Sequence, residues 1–265
     1  MTADFATRYG PWGLVAGGSE GLGAAWSEAL ARRGLNVIIV ARRPEALESH
    51  AAVLRRRYGV EVTTEVVDLS GPDAHTRLVA TAAEVDLGIV IYNAALSPSG
   101  SFATMDHGLI AASITTNVVT PTLALRGLLP QLARRTHSGV VLVSSLAGFA
   151  GSAGLATYGA TKSYLRMLAE ALWEESRGSG IDVLATAPGA VSTPGLAGRS
   201  AKKIPGQLSP DQIVESSLGR LGRSPIHVPG WVNLAAATAL SRVLPRPVAT
   251  SLMRRSSSGI TAEPR

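Results

Sequence analysis

The chain has 265 residues, of which 46% are apolar and 17% are charged. This composition supports a sizeable hydrophobic core and excludes a disordered chain. The sequence contains no Cys, which excludes a disulfide framework, a thiolate metal site and a Cys nucleophile. Because a chain without disulfides is compatible with a reducing compartment, we expect a cytoplasmic protein, and we expect no metal site.

The formal net charge is +6 at pH 7. Arg pairs such as Arg134-Arg135 are scattered along the chain, and aromatic residues make up only 5% of it. A nucleic-acid surface would interleave aromatic residues with a basic groove. We therefore expect the excess Arg to lie on the surface of a soluble protein, with no nucleic-acid partner.

The start of the chain lacks the apolar stretch of a signal peptide, and no run approaches the ~18 apolar residues of a membrane span. The best candidate, 231–244, is interrupted by Arg242. We expect the C-terminal segment 230–255, which contains this run, to pack on a substrate pocket or a subunit interface. The less favoured alternative is a helix that lies on a membrane surface.

Short apolar runs alternate with longer amphipathic segments along the chain. The Val, Ile and Leu residues of the short runs are continuous, as in strands buried on both faces of a parallel sheet. Pro44 near the start of one helix and Gly59 after its end mark typical helix boundaries. In chain order the sequence predicts strand 12–16, helix 22–34, strand 36–41, helix 44–59, strand 60–69, helix 72–84, strand 87–94, a long helix 105–135 bent at Pro121, strand 139–145, a long helix within 155–176, strand 181–189, helix 210–221, strand 226–230, and one or two C-terminal helices.

The alternation continues from residue 12 to 189 without a linker, which predicts one α/β domain over residues 1–265. Its expected architecture is a Rossmann-type doubly wound parallel sheet of about seven strands with helices on both faces. We expect the segment 192–210, rich in Gly, Pro and Ser, to be a mobile substrate lid. The end, 255–265, is expected to be a flexible tail.

Three glycines follow the first strand in the spacing Gly17-x3-Gly21-x-Gly23 and open the next helix. Glycine permits a tight turn and a close approach of the backbone, and a helix N-terminus offers N–H groups to a diphosphate. The position of this turn between a strand and a helix predicts a dinucleotide site.

The second strand is followed by Arg42 and Arg43, where an NAD site usually has an acidic residue for the ribose hydroxyls. A guanidinium matches a 2′-phosphate in charge and geometry, so we expect NADP(H) in preference to NAD(H). The alternative is two solvated Arg side chains. Asp68 and Leu69 end the third strand and would flank the adenine, while Asp68 could also cap the next helix.

Tyr158 and Lys162 lie four residues apart in a predicted helix and so share one face. A nearby cation favours phenolate and lowers the pKa of a Tyr. Ser144 and Ser145 end the fifth strand, at the carboxyl edge where open α/β sheets bind ligands. Asn117 lies inside the preceding long helix, where Asn is an indifferent helix former. A surface Tyr–Lys pair, turn-forming Ser residues and a surface Asn are the structural alternatives.

Taken in order, these motifs resemble the short-chain dehydrogenase/reductase family, in its short single-domain branch, over residues 10–195. The motifs that carry the resemblance are the glycine turn, Asn93-Ala94, Asn117, Ser145 with Tyr158-x3-Lys162, and Pro188-Gly189 followed by Thr193. Some proteins of this fold have lost the catalytic residues and only bind nucleotide, but this chain keeps all of them.

The resemblance implies an NADP(H)-dependent oxidoreductase that moves hydride between nicotinamide and a carbonyl or secondary alcohol, with ketone reduction as the expected direction. Tyr158 would be the general acid or base, and Ser145 would hold and polarise the substrate oxygen. Lys162 would lower the pKa of Tyr158 and bond the nicotinamide ribose, and Asn117 would hold a water. The implied cofactor-binding residues are Gly17, Ser19, Gly21, Leu22, Gly23, Arg42, Arg43, Asp68, Leu69, Asn93, Ala94, Lys162, Pro188, Gly189, Val191 and Thr193.

The resemblance also suggests a homodimer or homotetramer built through the two long helices. The substrate is not specified: the predicted lid mixes apolar and basic residues, which suits an apolar ketone or an acyl group on an acidic carrier. These residues are Leu196, Ile204 and Leu208 beside Arg199, Lys202 and Lys203.

Three positions depart from the family pattern. Ala16 replaces the Thr usual before the first glycine, and Ala95 replaces a Gly after Asn93-Ala94. Glu20 stands where many NADP users place a basic residue, which weakens the prediction of NADP preference. None of these changes removes a catalytic group.

Overall fold

The computed structural model describes residues 2–192 and 205–261, with side chains described for 4–192 and 205–255. Seven parallel strands form one sheet, and they are β1 (Trp12–Ala16), β2 (Asn36–Ala41), β3 (Val62–Val66), β4 (Leu87–Tyr92), β5 (Ser138–Val143), β6 (Ile181–Thr186) and β7 (Ile226–His227). Their order in the sheet is β3-β2-β1-β4-β5-β6-β7. The predicted doubly wound α/β architecture is confirmed.

The helices of the described residues are α1 (Thr2–Tyr9), α2 (Gly21–Arg32), α3 (Pro44–Tyr58), α4 (Ala74–Ala83), α5 (His107–Ile114), α6 (Thr120–Leu132), α7 (Ala156–Glu175), α8 (Pro210–Leu218), α9 (Trp231–Thr238) and α10 (Arg246–Thr261). Every residue of β4 and β5 is buried, because helices cover both faces of the sheet. Successive strand residues enter opposite cores: Val15 and Ile39 pack with Trp26 on one face, whereas Leu14 and Ile38 pack on the other.

The strand order reverses between β1 and β4, which are neighbours in the sheet although two strands separate them in the chain. In open parallel sheets the crevice at such a reversal, beyond the carboxyl ends of the strands, is where ligands bind. The glycine turn follows β1, and Asn93 follows β4. The topology therefore places both motifs at one edge.

The predicted long helix is interrupted earlier than the sequence indicated. A π-helical turn at Thr115–Val119 separates α5 from α6. Pro121 is the second residue of α6, where its missing N–H is tolerated. The expectation that 231–244 is the best candidate for a membrane span was wrong, because by length and composition the run His107–Leu132 could cross a membrane. Within that run, α6 packs on α4 and β4.

The interior of the predicted lid and the end of the predicted tail lie outside the described residues. Residues 193–204 are not described, and 192 and 205–210 frame that gap with a parallel bridge between Val191 and Leu208. Within the predicted tail, residues 255–261 are helical as the end of α10, and 262–265 are not described. Mobility of the lid and flexibility of the tail remain predictions.

Candidate active site

The glycine turn forms a cradle in which side chains would not fit. Gly17 and Gly21 have positive φ values of 78° and 55°, which glycine adopts without strain. A Cβ on Gly23 would overlap the carbonyl oxygen of Gly17, and the Asn93 amide donates to that same oxygen over 3.0 Å. The main-chain N–H groups of Asn93 and Ala94 both donate to the Ala16 carbonyl. Strand ends and turn are thus tied together so closely that glycine is required.

A cavity of about 320 Å³ opens beside this turn. Of the residues predicted to bind cofactor, it is lined by Gly17, Ser19, Arg42, Arg43, Asp68, Leu69, Asn93 and Ala94. Gly21, Leu22 and Gly23 form the first turn of α2 instead, whose N–H groups favour an anion. The cradle and the helix N-terminus therefore fit the diphosphate of a dinucleotide.

The acidic and basic residues at the cavity rim interact with one another. Glu20, which precedes α2, forms an ion pair with Arg43, which precedes α3. Asp68 accepts hydrogen bonds from the N–H and the hydroxyl of Ser70, which lower the pKa of the Asp68 carboxyl. Asp68 therefore closes a local turn, while α4 begins after Asp73.

Tyr158 and Lys162 lie together on α7, as their spacing predicted. The Lys162 Nζ lies 5.7 Å from the centre of the Tyr158 ring and donates to the Val143 carbonyl over 2.6 Å. Lys162 is only 1% exposed, and burial lowers its pKa to about 7. Burial raises the pKa of Tyr158, and a hydrogen bond with Ser145 opposes that rise. Without bound nucleotide, burial thus favours the neutral form of both groups.

The two serines after β5 have different surroundings. Ser144 is buried, and its hydroxyl donates to the Lys162 carbonyl over 2.7 Å. Ser145 accepts a hydrogen bond from the Ala147 N–H, hydrogen-bonds Tyr158 and lines a cavity together with it. Ser144 therefore fastens α7 to the sheet, while the Ser145 hydroxyl is the one that a ligand could reach.

Asn117 is completely buried in the π-helical turn. Its side chain accepts from the Leu96 N–H over 2.8 Å and donates to the Leu96 carbonyl over 2.9 Å and to Thr161 over 3.0 Å. In an α-helix the Asn117 carbonyl would accept from the N–H of residue 121, but Pro121 has none. The side chain thus holds a loop, and the main-chain oxygen lacks its α-helical donor.

A second cavity, of about 360 Å³, adjoins the Tyr and Ser hydroxyls. Ser97 lines it, and the preceding Leu96 lines the cofactor cavity, so the two cavities meet at the loop that Asn117 holds. None of the described residues that line it carries a charge; they are Ser97, Ser145, Leu146, Ala147, Leu155, Tyr158, Gly189, Ala190, Pro205, Asn233, Ala236, Ala239, Leu240, Leu252 and Met253. The lining suits a neutral, largely apolar ligand.

The residues after β6 connect the two ends of the site. The Pro188 carbonyl accepts from the Leu146 N–H, which joins this turn to the segment after Ser145. Gly189 lines the apolar cavity, where a Cβ would meet the amide oxygen of Asn233 at 2.5 Å. Val191 pairs with Leu208, and Thr193 lies outside the described residues.

Sequence reasoning missed Asn233, which is buried on α9. Its amide donates to the carbonyls of Gly206 and Pro229 over 2.9 Å and 2.8 Å, and so holds together three segments around the apolar cavity. The signal available was a single amide side chain within the apolar segment 231–240, where Thr238 is the other polar residue. The C-terminal segment packs on the pocket, as the sequence predicted.

The comparisons with known proteins agree with this geometry. A family model described as short chain dehydrogenase matches residues 12–204. The 7beta-hydroxysteroid dehydrogenase of Collinsella aerofaciens is 32% identical over 85% of this chain and 88% of its own length. A structure from a study of 7beta-hydroxysteroid dehydrogenase stereoselectivity superposes with a TM-score of 0.89 at 29% identity, covering 94% of this chain and 98% of that one.

A short-chain dehydrogenase from Sphingobium yanoikuyae in complex with NADPH is 32% identical, with a TM-score of 0.78, covering 87% of this chain and 92% of that one. The chain belongs to the short-chain dehydrogenase family. It is therefore an oxidoreductase that acts on CH–OH and C=O groups with a nicotinamide cofactor.

Proposed function

We propose that the enzyme reduces ketones with NADPH and that Tyr158 is its general acid. The observation that carries this proposal is that the Tyr158 and Ser145 side chains line one cavity, with Lys162 buried beside the Tyr ring. A carbonyl oxygen that becomes an alcohol needs one group that gives it a proton and another that holds it. Two hydroxyls that converge on one cavity supply both.

The proton chemistry follows from burial. In reduction, the Tyr158 hydroxyl gives its proton to the substrate oxygen while the Ser145 hydroxyl donates a hydrogen bond to that oxygen. Burial raises the pKa of Tyr158, which keeps it protonated until the substrate oxygen becomes basic. The phenolate that remains is stabilised by the ammonium form of Lys162, and a pKa of about 7 lets Lys162 exchange a proton at neutral pH.

Asn117 would contribute to proton supply through its main chain. The carbonyl left without an α-helical donor can accept a hydrogen bond from a water, while the side chain fixes the loop at Leu96. We assign this carbonyl to a water that links Lys162 to solvent.

The nicotinamide ring supplies the hydride when the cofactor is bound. The glycine turn and the N-terminus of α2 would hold its diphosphate. Asp68 and Leu69 would flank the adenine, Lys162 would bond the nicotinamide ribose, and Val191 would contact the carboxamide. Thr193 shares this last role by resemblance alone.

We infer a preference for NADP(H) over NAD(H) from Arg42 and Arg43 at the rim of the cofactor cavity. Glu20 opposes that preference, because it pairs with Arg43 and places a negative charge near a 2′-phosphate. Replacing Glu20 with Gln should tighten NADPH binding on the order of tenfold and leave NADH binding nearly unchanged.

The matched control is Glu45→Gln, which removes an exposed carboxylate two residues beyond Arg43, outside the cavity lining. The Arg42→Ala variant should weaken NADPH binding selectively. Fluorescence titration of both nucleotides measures these effects. Equal changes for NADPH and NADH would contradict the assignment of the 2′-phosphate to this rim.

The substrate we propose is a bulky, apolar, alicyclic ketone. The lack of charge among the described residues that line the substrate cavity supports this class, and a relative and a neighbouring structure carry the name of a hydroxysteroid dehydrogenase. An acyl group on an acidic carrier is the alternative, supported by the basic residues predicted in the lid. A panel of steroid ketones, small cyclic ketones and 3-oxoacyl thioesters, followed by the loss of NADPH absorbance, distinguishes them. Inactivity towards all ketones, with normal NADPH binding, would rule the proposal out.

We also propose that the enzyme is a homo-oligomer. Large apolar side chains stay exposed along the outer face of α5, the π-helical turn, α6 and α7: Leu109, Ile114, Val119, Leu123, Tyr164 and Met167. The Thr122 and Tyr164 hydroxyls lie 2.9 Å apart, so α6 and α7 share this face. Burial in a second copy would remove the patch from water. The Met167→Arg variant should lower the mass measured by light scattering, and an unchanged mass would contradict this interface.

A further inference from the structure

The last part of the chain exposes a second set of large apolar side chains. Trp231 is 82% exposed, and Leu234 lies one turn further along the same face of α9. Val243 follows after α9, and Val248 and Leu252 lie one turn apart on α10. We call these five residues the C-terminal face. An exposed Trp costs solvation without contributing to the core, so the face indicates a partner.

The part of the sequence that carries this face has charges of one sign. Between Glu215 and Glu263 the sequence contains six Arg and no Asp or Glu. Four of these, Arg242, Arg246, Arg254 and Arg255, lie in the segment that carries the face. Apolar side chains interspersed with Arg are typical of helices that lie in the headgroup region of a membrane, where Trp is favoured and Arg contacts anionic lipids.

The same segment borders the mouth of the substrate cavity. The inner sides of α9 and α10 contribute lining residues such as Ala236 and Met253. Leu252 belongs to both surfaces, because it lines the cavity and is also half exposed. A molecule that contacts the C-terminal face is therefore at the entrance of the cavity.

We propose that the C-terminal face docks on a membrane surface that contains anionic lipid, so that the cavity opens towards the lipid and receives its apolar substrate from there. Docking rests on the proposed function, because a cavity that opens towards the lipid is useful only when its substrate dissolves in lipid. The sequence led us to expect no membrane association, but it could not show that the apolar residues stay outside the core.

A second copy of the chain fits this face less well. A two-fold interface brings the same patch against itself, and a segment whose sequence has four Arg and no Asp or Glu before Glu263 would then face another such segment. Like charges across an interface oppose association, whereas an anionic lipid surface neutralises them. The complementary charge favours the membrane.

The test is sedimentation of the full chain with vesicles of phosphatidylcholine alone and of phosphatidylcholine mixed with phosphatidylglycerol. We expect binding to the mixed vesicles that weakens with added salt. Trp231→Glu and Leu234→Glu should each reduce binding by roughly tenfold or more, and Arg242→Gln by roughly fivefold. The matched control, Val53→Glu, alters an exposed apolar residue on α3 and should bind like the wild type.

The side chains changed at Trp231 and Leu234 point into solvent, so the variants should unfold at the wild-type temperature. Absence of binding to the mixed vesicles, or equal binding by Trp231→Glu, would overturn the docking. A fall in molecular mass of Trp231→Glu by light scattering would also overturn it, since the face would then be a subunit interface. Turnover of the ketone panel without vesicles tests the proposed function separately: vesicle binding together with inactivity towards every ketone would overturn that function and leave the docking in place.

Discussion

Replacement of Lys162 with Met would remove an amine that is 1% exposed and bonded to the Val143 carbonyl. Burial lowers its pKa from an ordinary 10.5 to about 7, so between these values the unfolded chain binds more protons than the folded one. The free energy of unfolding therefore rises with pH in that window, by at most about 1.4 kcal/mol per pH unit. Below a pH of about 7 the amine is protonated in both the folded and the unfolded chain, and burial of its charge then lowers the free energy of unfolding by the full amount.

Urea unfolding of the wild type and Lys162→Met, both without nucleotide, measures this contribution near pH 7 and near pH 9. The wild type should gain about 2 kcal/mol more than the variant over this interval. Groups that both proteins share cancel in the difference, and burial moves the pKa values of His50 and His227 below this range. Parallel pH dependences would refute the claim that a neutral amine is favoured in the site before nucleotide binds.

Three further substitutions probe separate parts of the site. Lys162→Arg keeps the charge but replaces a compact ammonium with a planar fork, so most NADPH oxidation should be lost; normal turnover would show that geometry is unimportant there. Asn117→Ala leaves the Leu96 N–H without its acceptor and should lower the unfolding free energy by about 2 to 4 kcal/mol, and an unchanged urea midpoint would contradict the clamp. Gly23→Ala places a methyl group on the Gly17 carbonyl, so NADPH titration should show no binding, whereas retained affinity would contradict the close-packed cradle.

Much of the sheet was predictable because its strands are continuous apolar runs bounded by turn residues. The predicted bounds of β1 and β2 match the structure, since burial on both faces leaves an unmixed run of Val and Ile. The helix α1 was not predicted, because distant contacts hold it: the Arg8 guanidinium and the Tyr9 hydroxyl both bond Asp182 on β6. Sequence patterns near α1 cannot encode a partner so far along the chain.

The site also has a part that the sequence predicts and a part that it does not. Tyr158 and Lys162 meet because helical spacing alone brings them together, and Ser145 joins them because carboxyl ends of parallel strands share an edge. The ion pair between Glu20 and Arg43 was not predictable, although each residue was singled out. It depends on how two helix starts meet at the rim of the cavity.

The π-helical turn is a further feature that the pattern did not give. Helical periodicity is nearly the same with one extra residue in a turn, so only Pro121 signalled an irregularity. The interruption falls before it, where the side chain of Asn117 bonds a loop from β4. Tertiary contacts thus determine where the π-helical turn interrupts the helix.

The central claim is that Tyr158 delivers the proton during ketone reduction, and one comparison tests it directly. NADPH oxidation with a bulky apolar ketone is measured for the wild type, for Tyr158→Phe and for Tyr164→Phe, which alters an exposed Tyr on the same helix. We expect Tyr158→Phe to lose roughly a thousandfold or more in turnover while its affinity for NADPH changes by no more than about twofold, and we expect Tyr164→Phe to retain activity. Turnover by Tyr158→Phe close to that of the wild type would contradict it.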